Sequence, residues 1–595
     1  MIAILGRSSP ADPALARRML GAAPHRGSCV TVRICGNCVL GVSNQPGTVD
    51  AAISRDGPVT AAFKGHLDNA IELARALTDL GVPPASPAAA DVVVSAFKAF
   101  GPDAPNRMRG PFAAMVTDGR SLWCFRDHVG FQPMFYRDDP RACFAATEAK
   151  QVLAGADLAP TPDLEVLERI LYGRMPADTP CALKGVSRLP QGTTLTAGPD
   201  RPASARRFWQ PEDLVESSRL GPDDTAHRFA ELFAQAVARS MSGDDVIALS
   251  GGLDSTAVAA FAAPRHRALA GRPIAALSAV FPGLPRVDES RYIELTSAEL
   301  GIELHTFVPQ ARTLDDLQRW CVLLDGPAPV ISVPGLNENY ARARALGYRN
   351  VLTGEFAEFV VDSRGHLLGH LLTHGKVSAL FNLISAERRR GTSWKAIVRQ
   401  LLLALVPGGL ANWYLRARHL NRPRFAPDWI EPRKFDEVPG RFDLLPPSRS
   451  RWSALQLLAF QGSTITLEAD EVCARLNGVT VRYPFADVDL WEFFLSLPAE
   501  HKFPDLRSKT LMRRLLGGRI PNAVLERRDK TAFDDHVSAQ MDYPMLRRFL
   551  IEPRHGIDGV DYRRLAARLE RADLGLFDWV WAKDLALIHA FLSRW

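Results

Sequence analysis

The sequence predicts an α/β protein of two domains. The chain has 595 residues, and a single hydrophobic core rarely grows beyond about 250–300 residues. Residues 1–205 read mainly as short β segments, whereas residues 215–595 alternate helix-like and strand-like segments. Strands that alternate with helices are typical of a parallel, doubly wound sheet. We therefore expect one domain over 1–205 and a second over 215–595.

Short apolar and β-branched runs, separated by turn residues, define the elements of the first domain. They predict strands at 29–42, 59–64, 112–118, 122–127 and 142–146, and helical periodicity predicts helices at 70–80 and 91–100. The turn residues of 197–202, Ala-Gly-Pro-Asp-Arg-Pro, indicate a boundary at the end of this domain.

In the second domain, helical periodicity and short apolar runs follow one another. In chain order they predict helix 223–239, strand 246–249, helix 254–263, strand 273–281, helix 289–300 and strand 350–353. This β–α–β order is the one that builds a parallel sheet.

The composition is that of a globular protein, with 47% hydrophobic and 23% charged residues. It excludes a collagen, a coiled coil and a disordered chain. The net charge is +6, and Arg supplies 61 of the 72 basic residues because Lys supplies 11. Since Arg pairs bidentately with carboxylate and phosphate, the composition allows an anionic partner, but so small a charge does not indicate nucleic acid.

Export and membrane insertion are not expected. The apolar residues 1–6 are too few for a signal peptide, which needs roughly 7–15, and the apolar run 401–406 is far below the roughly 20 residues of a membrane span. Eight cysteines in 595 residues do not make a disulfide framework. Cys35 and Cys38 form a lone CxxC, which we interpret as two apolar thiols in a strand rather than a zinc site. We expect a cytoplasmic protein.

The strongest chemical signal is the segment Ser250-Gly251-Gly252-Leu253-Asp254-Ser255. It joins a predicted strand to a predicted helix, whose N-terminal N–H groups attract an anion. Its serine hydroxyls add donors, and its aspartate can hold a Mg²⁺ that bridges phosphates. It lacks the Gly-Lys-Ser/Thr of the P-loop nucleotide-binding proteins. The alternative is a tight strand-to-helix turn with an Asp or Ser cap.

This segment resembles the pyrophosphate loop (PP-loop) of the N-type ATP pyrophosphatases, and the chain resembles the asparagine synthetase superfamily. The later blocks that carry the resemblance are Leu352-Thr353-Gly354-Glu355-Phe356-Ala357-Glu358, Arg482-Tyr483-Pro484-Phe485-Ala486-Asp487, Lys509-Thr510-Leu511-Met512-Arg513, and Leu525-Glu526-Arg527-Arg528-Asp529-Lys530 with Phe533. The first domain matches at 25–27, 65–69 and 126–133. The resemblance implies an N-terminal Ntn-hydrolase-like αββα sandwich of glutaminase type. It also implies a C-terminal doubly wound PP-loop domain, of the adenine nucleotide α-hydrolase type, with helical insertions.

Members of this superfamily use ATP and Mg²⁺ to activate a carboxylate as its adenylate, and an amine then displaces AMP to give an amide. By resemblance, ATP would contact Ala248, Ser250, Gly251, Gly252, Asp254, Ser255, Val280, Thr353 and Gly354, and Mg²⁺ would contact Asp254 and Glu358. Lys530 and Lys509 would be catalytic, with Lys530 neutralising the charge that builds on the α-phosphate and the oxyanion. Glu355 would be the general base for the amine. The alternatives are a solvated surface charge for Lys530 and a helix-cap partner for Glu355.

Several residues depart from the family pattern. Phe356 replaces a glycine, so we expect less backbone freedom there, and Glu358 replaces an aspartate, so its carboxylate reaches one methylene further. In the first domain Ile2 stands where glutamine-hydrolysing members have a cysteine nucleophile, and Lys64-Gly65-His66 replaces Asn-Gly-Glu. We therefore expect a glutaminase fold that makes no ammonia.

A synthetase without an ammonia source must take its amine from elsewhere. β-Lactam synthetases and lasso-peptide cyclases solve this by intramolecular attack, and the former carry Tyr at the place of Glu355. Residues 482–487 followed by 490–497 resemble proteobacterial lasso-peptide cyclases. We predict such a cyclase, which joins an Asp or Glu side chain of a precursor peptide to that peptide's N-terminal amine as a macrolactam. The expected partners are that precursor and the leader peptidase or leader-binding protein of the same pathway.

Other functions remain open at this point. One is an asparagine synthetase-like ligase that uses free ammonia or a small amine, and another is a β-lactam synthetase-like enzyme. A third, of another class, is a non-catalytic scaffold in a peptide maturation complex, which the substitutions at Phe356 and Glu358 suggest.

Two segments have no role in this scheme. Residues 387–434 hold eleven Lys or Arg, three Asp or Glu, and interleaved aromatic residues. They fit a helical lid that contacts the precursor or a partner, or equally a solvated helical surface, and no nucleic-acid recognition motif accompanies them. His366, His370 and His374 have the spacing of one helix face. Three His can bind zinc, but no carboxylate or Cys partner is evident nearby, so we favour a pocket-lining face.

Overall fold

A computed structural model describes residues 1–172, 180–310, 317–327, 333–357, 366–407, 409–410, 413, 417, 426–437, 452–453, 456–457, 464–503, 509–527 and 543–594. Within these ranges the fold is the predicted one: an N-terminal αββα sandwich and a C-terminal doubly wound parallel sheet.

The N-terminal part carries its strands in antiparallel sheets and its helices on the outer faces. The strands are β1 (Ile2–Gly6), β2 (Cys29–Cys35), β3 (Cys38–Asn44), β4 (Ala51–Asp56), β5 (Val59–Gly65), β6 (Phe112–Thr117), β7 (Leu122–Arg126), β8 (Phe135–Asp138), β9 (Ala142–Ala146), β10 (Ser187–Arg188), β11 (Thr193–Gly198) and β12 (Arg201–Arg207). The helices are α1 (Pro13–Gly21), α2 (Ala70–Asp79), α3 (Ala89–Phe100), α4 (Ala149–Ala156) and α5 (Leu164–Leu171).

Two sheets stack face to face, in the strand orders β10-β8-β9-β1-β3-β2 and β12-β11-β7-β6-β5-β4. Side chains of β1 alternate between two cores, as a period of two requires. Ile2 and Ile4 pack with α1 and α4, whereas Ala3 and Leu5 pack against the second sheet. Because α3 covers the other face of that second sheet, the result is four layers.

The C-terminal part is built on a five-stranded sheet in the order β15-β14-β13-β16-β17. Its strands are β13 (Asp245–Ala248), β14 (Ala275–Ala279), β15 (Glu303–Phe307), β16 (Asn350–Leu352) and β17 (Thr480–Arg482). All four strand pairs are parallel, so the carboxyl ends of the strands lie at one edge. The strand order reverses beside β13, which is where sheets of this kind bind ligands.

Helices surround this sheet and extend beyond it. They are α6 (Pro222–Ser240), α7 (Leu253–Ala270), α8 (Ser290–Leu300), α9 (Leu317–Leu323), α10 (Val333–Ala345), α11 (Leu367–Thr373), α12 (Val377–Arg389), α13 (Trp394–Leu405), α14 (Lys434–Glu437), α15 (Thr464–Leu476), α16 (Val488–Ser496), α17 (Ala499–Lys502), α18 (Thr510–Leu516), α19 (Asn522–Leu525), α20 (Tyr543–Leu550), α21 (Tyr562–Arg571) and α22 (Leu576–Leu592). Helix α7 runs past Pro264 because its small side chains are buried on several sides, and it ends at Gly271, whose φ is +66°.

Two predicted segments are hairpins instead. The single strand predicted at 29–42 is the β2–β3 hairpin, because Gly36 and Asn37 form a two-residue turn in which the φ of Gly36 is +55°. Cys35 and Cys38 flank this turn, and both are free thiols. The turn residues at 197–202 join β11 to β12 within one sheet, so the boundary predicted at that stretch is wrong and the chain leaves the sheet only after Arg207.

Candidate active site

The PP-loop, residues 250–255, begins two residues beyond the end of β13 at Ala248, at the carboxyl edge of the sheet. Its serines bond within the loop: the Ser250 N–H donates to Ser255 Oγ at 3.0 Å, and the Gly252 N–H donates to Ser250 Oγ at 3.2 Å. The two hydroxyls are themselves 3.0 Å apart. These bonds hold the loop folded over the first turn of α7, where N–H groups and the helix dipole favour an anion.

An acidic and a basic residue, Glu289 and Arg527, bind the loop from one side. The Gly251 N–H donates to Glu289 Oε2 at 2.9 Å, and Arg527 donates to the Gly251 carbonyl at 2.9 Å and to Glu289 Oε1 at 2.8 Å. A Cβ on Gly251 would lie 2.7 Å from the Glu289 Cβ, so the close approach requires glycine. Arg527 belongs to a matched block, but Glu289 carried no signal beyond its place at a helix start.

Asp254 and Lys509 form an ion pair inside the site. The Lys509 ammonium lies 2.6 Å and 2.5 Å from the two carboxylate oxygens of Asp254. The carboxylate therefore stands at the start of α7 with an ammonium as its counter-charge, and a Mg²⁺ ion that binds it would displace that ammonium. The other residue predicted to bind Mg²⁺, Glu358, lies outside the described residues, as does Lys530.

The segment after β16 rests directly on the PP-loop. The Thr353 N–H donates to the Arg482 carbonyl at 3.0 Å, which joins this segment to the end of β17. A Cβ on Gly354 would lie 2.4 Å from the Ser255 nitrogen. Since no side chain fits in that space, glycine is required, and two of the blocks that carried the resemblance meet here.

Glu355 is exposed next to this contact, and its N–H donates to Thr353 Oγ1 at 3.3 Å. The next residue, Phe356, has a φ of +73°, a backbone region in which a bulky residue is strained. Its ring is buried, with centroids 6.2 Å from Phe131 and 5.2 Å from Tyr483. The phenylalanine thus keeps a glycine-like backbone and fills the junction between the domains.

Val280, the residue after β14, has fewer backbone groups available for ATP than predicted. Its N–H donates to the Phe307 carbonyl at 2.9 Å, so the N–H is already used in the sheet. A contact from Val280 to an adenine would therefore have to use its carbonyl group.

In the N-terminal domain, Lys64 and Arg26 surround a carboxylate from the other domain. Glu471 of α15 lies 2.9 Å from the Lys64 ammonium and 2.9 Å from the Arg26 guanidinium, and Arg26 also pairs with Glu148. Burial alone would raise the pKa of Glu471, but the charges of Arg26 and Lys64 outweigh it and lower that pKa to about 2. The α-amino group of Met1 lies near this network, and burial lowers its pKa to about 4.

A model of the asparagine synthase family matches residues 228–565, and a glutamine amidotransferase domain model matches residues 1–209. The chain belongs to the asparagine synthase family. It is an ATP-dependent carbon–nitrogen ligase of that family.

Relatives within the asparagine synthase family include enzymes of two kinds. The chain is 24% identical over 486 residues to asparagine synthetase [glutamine-hydrolyzing] 3 of Bacillus subtilis (strain 168), covering 79% of this chain and 74% of that protein. It is 30% identical over 229 residues to carboxyethyl-arginine beta-lactam-synthase of Streptomyces clavuligerus, covering 37% of this chain and 40% of that protein.

Outside the family blocks, the structure revises the histidine prediction. Helix α11 begins at Leu367, and His366 precedes it with a φ of +63°, so the three histidines do not share a helix face. His370 and His374 do lie together, with ring centroids 4.0 Å apart. The prediction that no carboxylate lies nearby is wrong, because Glu216 Oε1 is 2.9 Å from His370 Nε2.

The basic segment 387–434 is described only in part. Its helix α13 exposes one row of apolar side chains, Trp394, Val398, Leu402 and Leu405. The Arg388 guanidinium lies 5.2 Å over the Trp394 ring. Among the described residues, no helix has both the length and the hydropathy needed to cross a membrane.

Proposed function

We propose that this member of the asparagine synthase family is a lasso-peptide cyclase that uses ATP and Mg²⁺. In the first step, an Asp or Glu side-chain carboxylate of a precursor peptide attacks the α-phosphorus of ATP, and pyrophosphate leaves. In the second, the N-terminal amine of the same peptide attacks the activated carbonyl and loses a proton. AMP leaves, and the new amide closes a macrolactam ring.

The observation that carries the proposal is the buried ion-pair network of the N-terminal domain. Ile2 offers no nucleophilic atom, and Lys64 and Arg26 hold Glu471 at 2.9 Å beside the α-amino group of Met1. An ion pair buried this deeply is not readily opened, because each partner would lose its counter-charge in a low dielectric. We propose that the domain makes no ammonia from glutamine and that the substrate supplies the amine.

The residues around the PP-loop fit ATP and Mg²⁺. Bound Mg²⁺ would neutralise the pyrophosphate oxygens, and Asp254 is the described carboxylate that would hold it. The Cβ positions of Gly251 and Gly354 are taken by Glu289 and by Ser255, so glycine at both positions lets the segments around the proposed ATP site pack closely. Because Lys509 now pairs with Asp254, its ammonium would turn to a phosphate oxygen when the metal takes the carboxylate.

Glu355 is proposed as the general base of the second step. Its carboxylate is exposed at the carboxyl end of β16, one residue from the contact between Gly354 and Ser255. An ammonium must lose a proton to become a nucleophile, and a carboxylate within hydrogen-bond reach of the amine supplies that step. Lys530 is proposed to stabilise the charge on the α-phosphate and on the oxyanion.

A second candidate function is ring closure on a small molecule. The similarity to a beta-lactam-synthase over 229 residues favours it, because such an enzyme also needs no ammonia. The residue at position 355 favours a peptide cyclase instead, because β-lactam synthetases carry Tyr where this chain has Glu355. A ligase that takes free ammonia or a small amine would show itself by an intermolecular product.

The row on α13 is proposed as the docking surface for the leader peptidase or leader-binding protein of the pathway. Trp394, Val398, Leu402 and Leu405 are each between 46% and 62% exposed, and residues 387–434 carry eleven basic residues against three acidic ones. The Arg388 guanidinium over the Trp394 ring and the basic composition of this segment suit an acidic, amphipathic partner surface. Replacing Leu402 by Asp should weaken that complex, and Leu269→Asp, at another exposed leucine, is the matched control.

The test is made with the purified full-length chain, Mg-ATP and the precursor peptide. Wild type should release pyrophosphate and AMP and give a product lighter than the linear peptide by one water. Asp254→Ala should abolish pyrophosphate release. Glu355→Ala should still form the adenylate but close the ring by about 10²–10⁴-fold more slowly, the range for a lost general base.

Three outcomes would contradict the proposal in different ways. A wild-type chain that releases no pyrophosphate with any peptide would be a scaffold. A chain that amidates only with added ammonium would be an asparagine synthetase-like ligase. An unchanged ring-closure rate in Glu355→Ala would remove Glu355 as the base, and Glu294→Ala, on the outside of α8, is the control for a lost acidic side chain.

A further inference from the structure

A cluster of Glu216, His370 and His374 lies apart from the PP-loop and has no part in the proposed reaction. Glu216 belongs to the segment between β12 and α6 that connects the two domains. His370 lies in α11, and His374 directly follows that helix. One nitrogen of each His and one carboxylate oxygen of Glu216 all lie within 4.8 Å of one another.

Contacts with the rest of the chain hold two members of this cluster, Glu216 and His370, in place. The N–H of Glu216 donates to the Leu495 carbonyl at 3.0 Å, and the N–H of Ser218 donates to the Ser496 carbonyl at 2.9 Å, which ties the segment to the end of α16. His370 is buried, and its ring centroid lies 4.4 Å from that of Trp452. Two of the three groups are therefore fixed before any ligand binds.

Hydrogen bonding sets the tautomer of His374. Its Nδ1 lies 2.9 Å from the His370 carbonyl oxygen, so Nδ1 carries the proton and Nε2 carries the lone pair. This is the arrangement in which a histidine binds a metal ion, with the second nitrogen donating to a backbone carbonyl. His370 Nε2 faces Glu216 Oε1 at 2.9 Å.

We propose that Glu216, His370 and His374 bind a divalent transition-metal ion, with zinc preferred. Two imidazoles and one carboxylate, with a fourth position for water, form a common tetrahedral zinc site. Bonds of about 2.0–2.1 Å place tetrahedral ligands about 3.3 Å apart, and rotation of the exposed His374 side chain closes the remaining gap. The metal ion would join α11 to the segment between the domains.

Lys502 is a buried cation near this cluster. Its ammonium lies 4.9 Å from the centroid of the Trp452 ring, against which His370 also packs. Burial lowers the pKa of the Lys502 ammonium to about 7, although the charge of Glu216 acts in the opposite direction.

The test is zinc binding by the full-length chain after treatment with a chelator and dialysis. Wild type should bind one equivalent more than His374→Ala, and the affinity at this site should fall by more than about 100-fold, because losing even an outer hydrogen-bond partner of a metal ligand costs 10–100-fold. Zinc should also raise the unfolding temperature of wild type and leave that of His374→Ala unchanged. Co²⁺ should give a tetrahedral visible spectrum in wild type only.

The controls separate this cluster from chance surface binding. His227→Ala removes an exposed histidine that lies 3.3 Å from Glu231 but belongs to no such cluster within the described part of the chain, and it should bind zinc as wild type does. Glu216→Gln keeps an acceptor for His370 but loses the charge, and it should bind zinc more weakly. If wild type takes up no zinc, or if wild type and His374→Ala bind it equally, the proposal is wrong.

Discussion

At the scale of single residues, the positions that depart from the family pattern make unusual contacts. Phe356 keeps the backbone of the glycine it replaces, with a φ of +73°, and buries its ring at the domain junction. Glu471 reaches from the second domain into the first, where Lys64 and Arg26 bind it. The first departure was visible in the sequence, but the partner of Lys64 lies 407 residues away and no local pattern indicates it.

Phe356 allows a test of backbone strain. Phe356→Ala should destabilise the protein by about 3–5 kcal/mol, as the loss of a buried aromatic ring does. Phe356→Gly should be about 1 kcal/mol more stable than the alanine variant, because glycine adopts a positive φ without the steric cost of a Cβ. Chemical denaturation of both variants measures the difference. A glycine variant less stable than the alanine variant would mean that residue 356 is not strained.

Glu471 allows a test of the junction by pH. Its pKa is about 2 in the folded chain against an ordinary value of 4.5, so its contribution is complete above pH 4.5 and is lost as the pH falls toward 2. Glu471→Gln should cost about 3 kcal/mol near neutral pH, and the difference in unfolding temperature from wild type should shrink as the pH falls from 5 to 3.

Glu165→Gln is the control for that measurement. Glu165 pairs with Arg169 on the surface of α5, and its side chain is 74% exposed, so the change should cost at most about 1 kcal/mol. An equal loss of stability in both variants would show that the Glu471 network contributes no more than a surface ion pair.

At the scale of elements, the site depends on two loops that touch. The PP-loop and the segment after β16 come from adjacent parallel strands, so both emerge at the same edge of the sheet. Their distance is set by the absence of a side chain at Gly354. This pairing could be predicted from the order of elements, because parallel strands place their carboxyl ends together. The clamp of Glu289 and Arg527 could not, since it depends on how α8 packs.

Gly354→Ala tests this contact. The new Cβ would lie 2.4 Å from the Ser255 nitrogen, so the two loops must move apart, and a displacement of about 1 Å can cost about 10²-fold in rate. Pyrophosphate release should therefore fall by about that factor while the unfolding temperature changes little. Gly283→Ala, in the loop after β14, meets nothing within 4 Å and has an ordinary φ, and it should remain as active as wild type.

Most of the helices and strands could also be predicted from the sequence, and the errors in their predicted bounds have physical causes. The helix predicted at 254–263 runs to Ala270 because burial of its alanines outweighs the hydrogen bond that Pro264 cannot donate. The strand predicted at 29–42 folds back because a Gly-Asn pair interrupts it. In both places a local pattern was correct about the type of structure and wrong about its extent.

At the scale of the whole molecule, one domain carries the PP-loop and the other encloses a carboxylate of its neighbour. Met1, Lys64, Arg26 and Glu471 lie together where the two domains meet. Both the Ntn-type sandwich and the PP-loop domain could be predicted from matched blocks. The way in which the first domain is closed could not, because it depends on an interdomain contact.

Ile2→Cys tests whether the missing nucleophile alone accounts for the expected lack of glutamine hydrolysis. If only the thiol were lacking, this variant would hydrolyse glutamine. We expect no release of glutamate above that of wild type, because Lys64-Gly65-His66 still replaces Asn-Gly-Glu and Lys64, Arg26 and Glu471 still form their buried network. Glutamate release that depends on the new cysteine would overturn this account, and circular dichroism establishes that the variant is folded.

The network around Glu471 also divides the charges of this protein into two classes by their response to ionic strength. Mobile ions screen exposed charges over about 10 Å at 0.1 M salt but reach buried pairs poorly. Concentrated salt should therefore leave the two domains joined while it weakens the charged contacts that Arg388 adds beside the apolar row on α13. A partner docked on that row would then be held by its apolar contacts alone, and a purification step in high salt would still yield the intact two-domain enzyme.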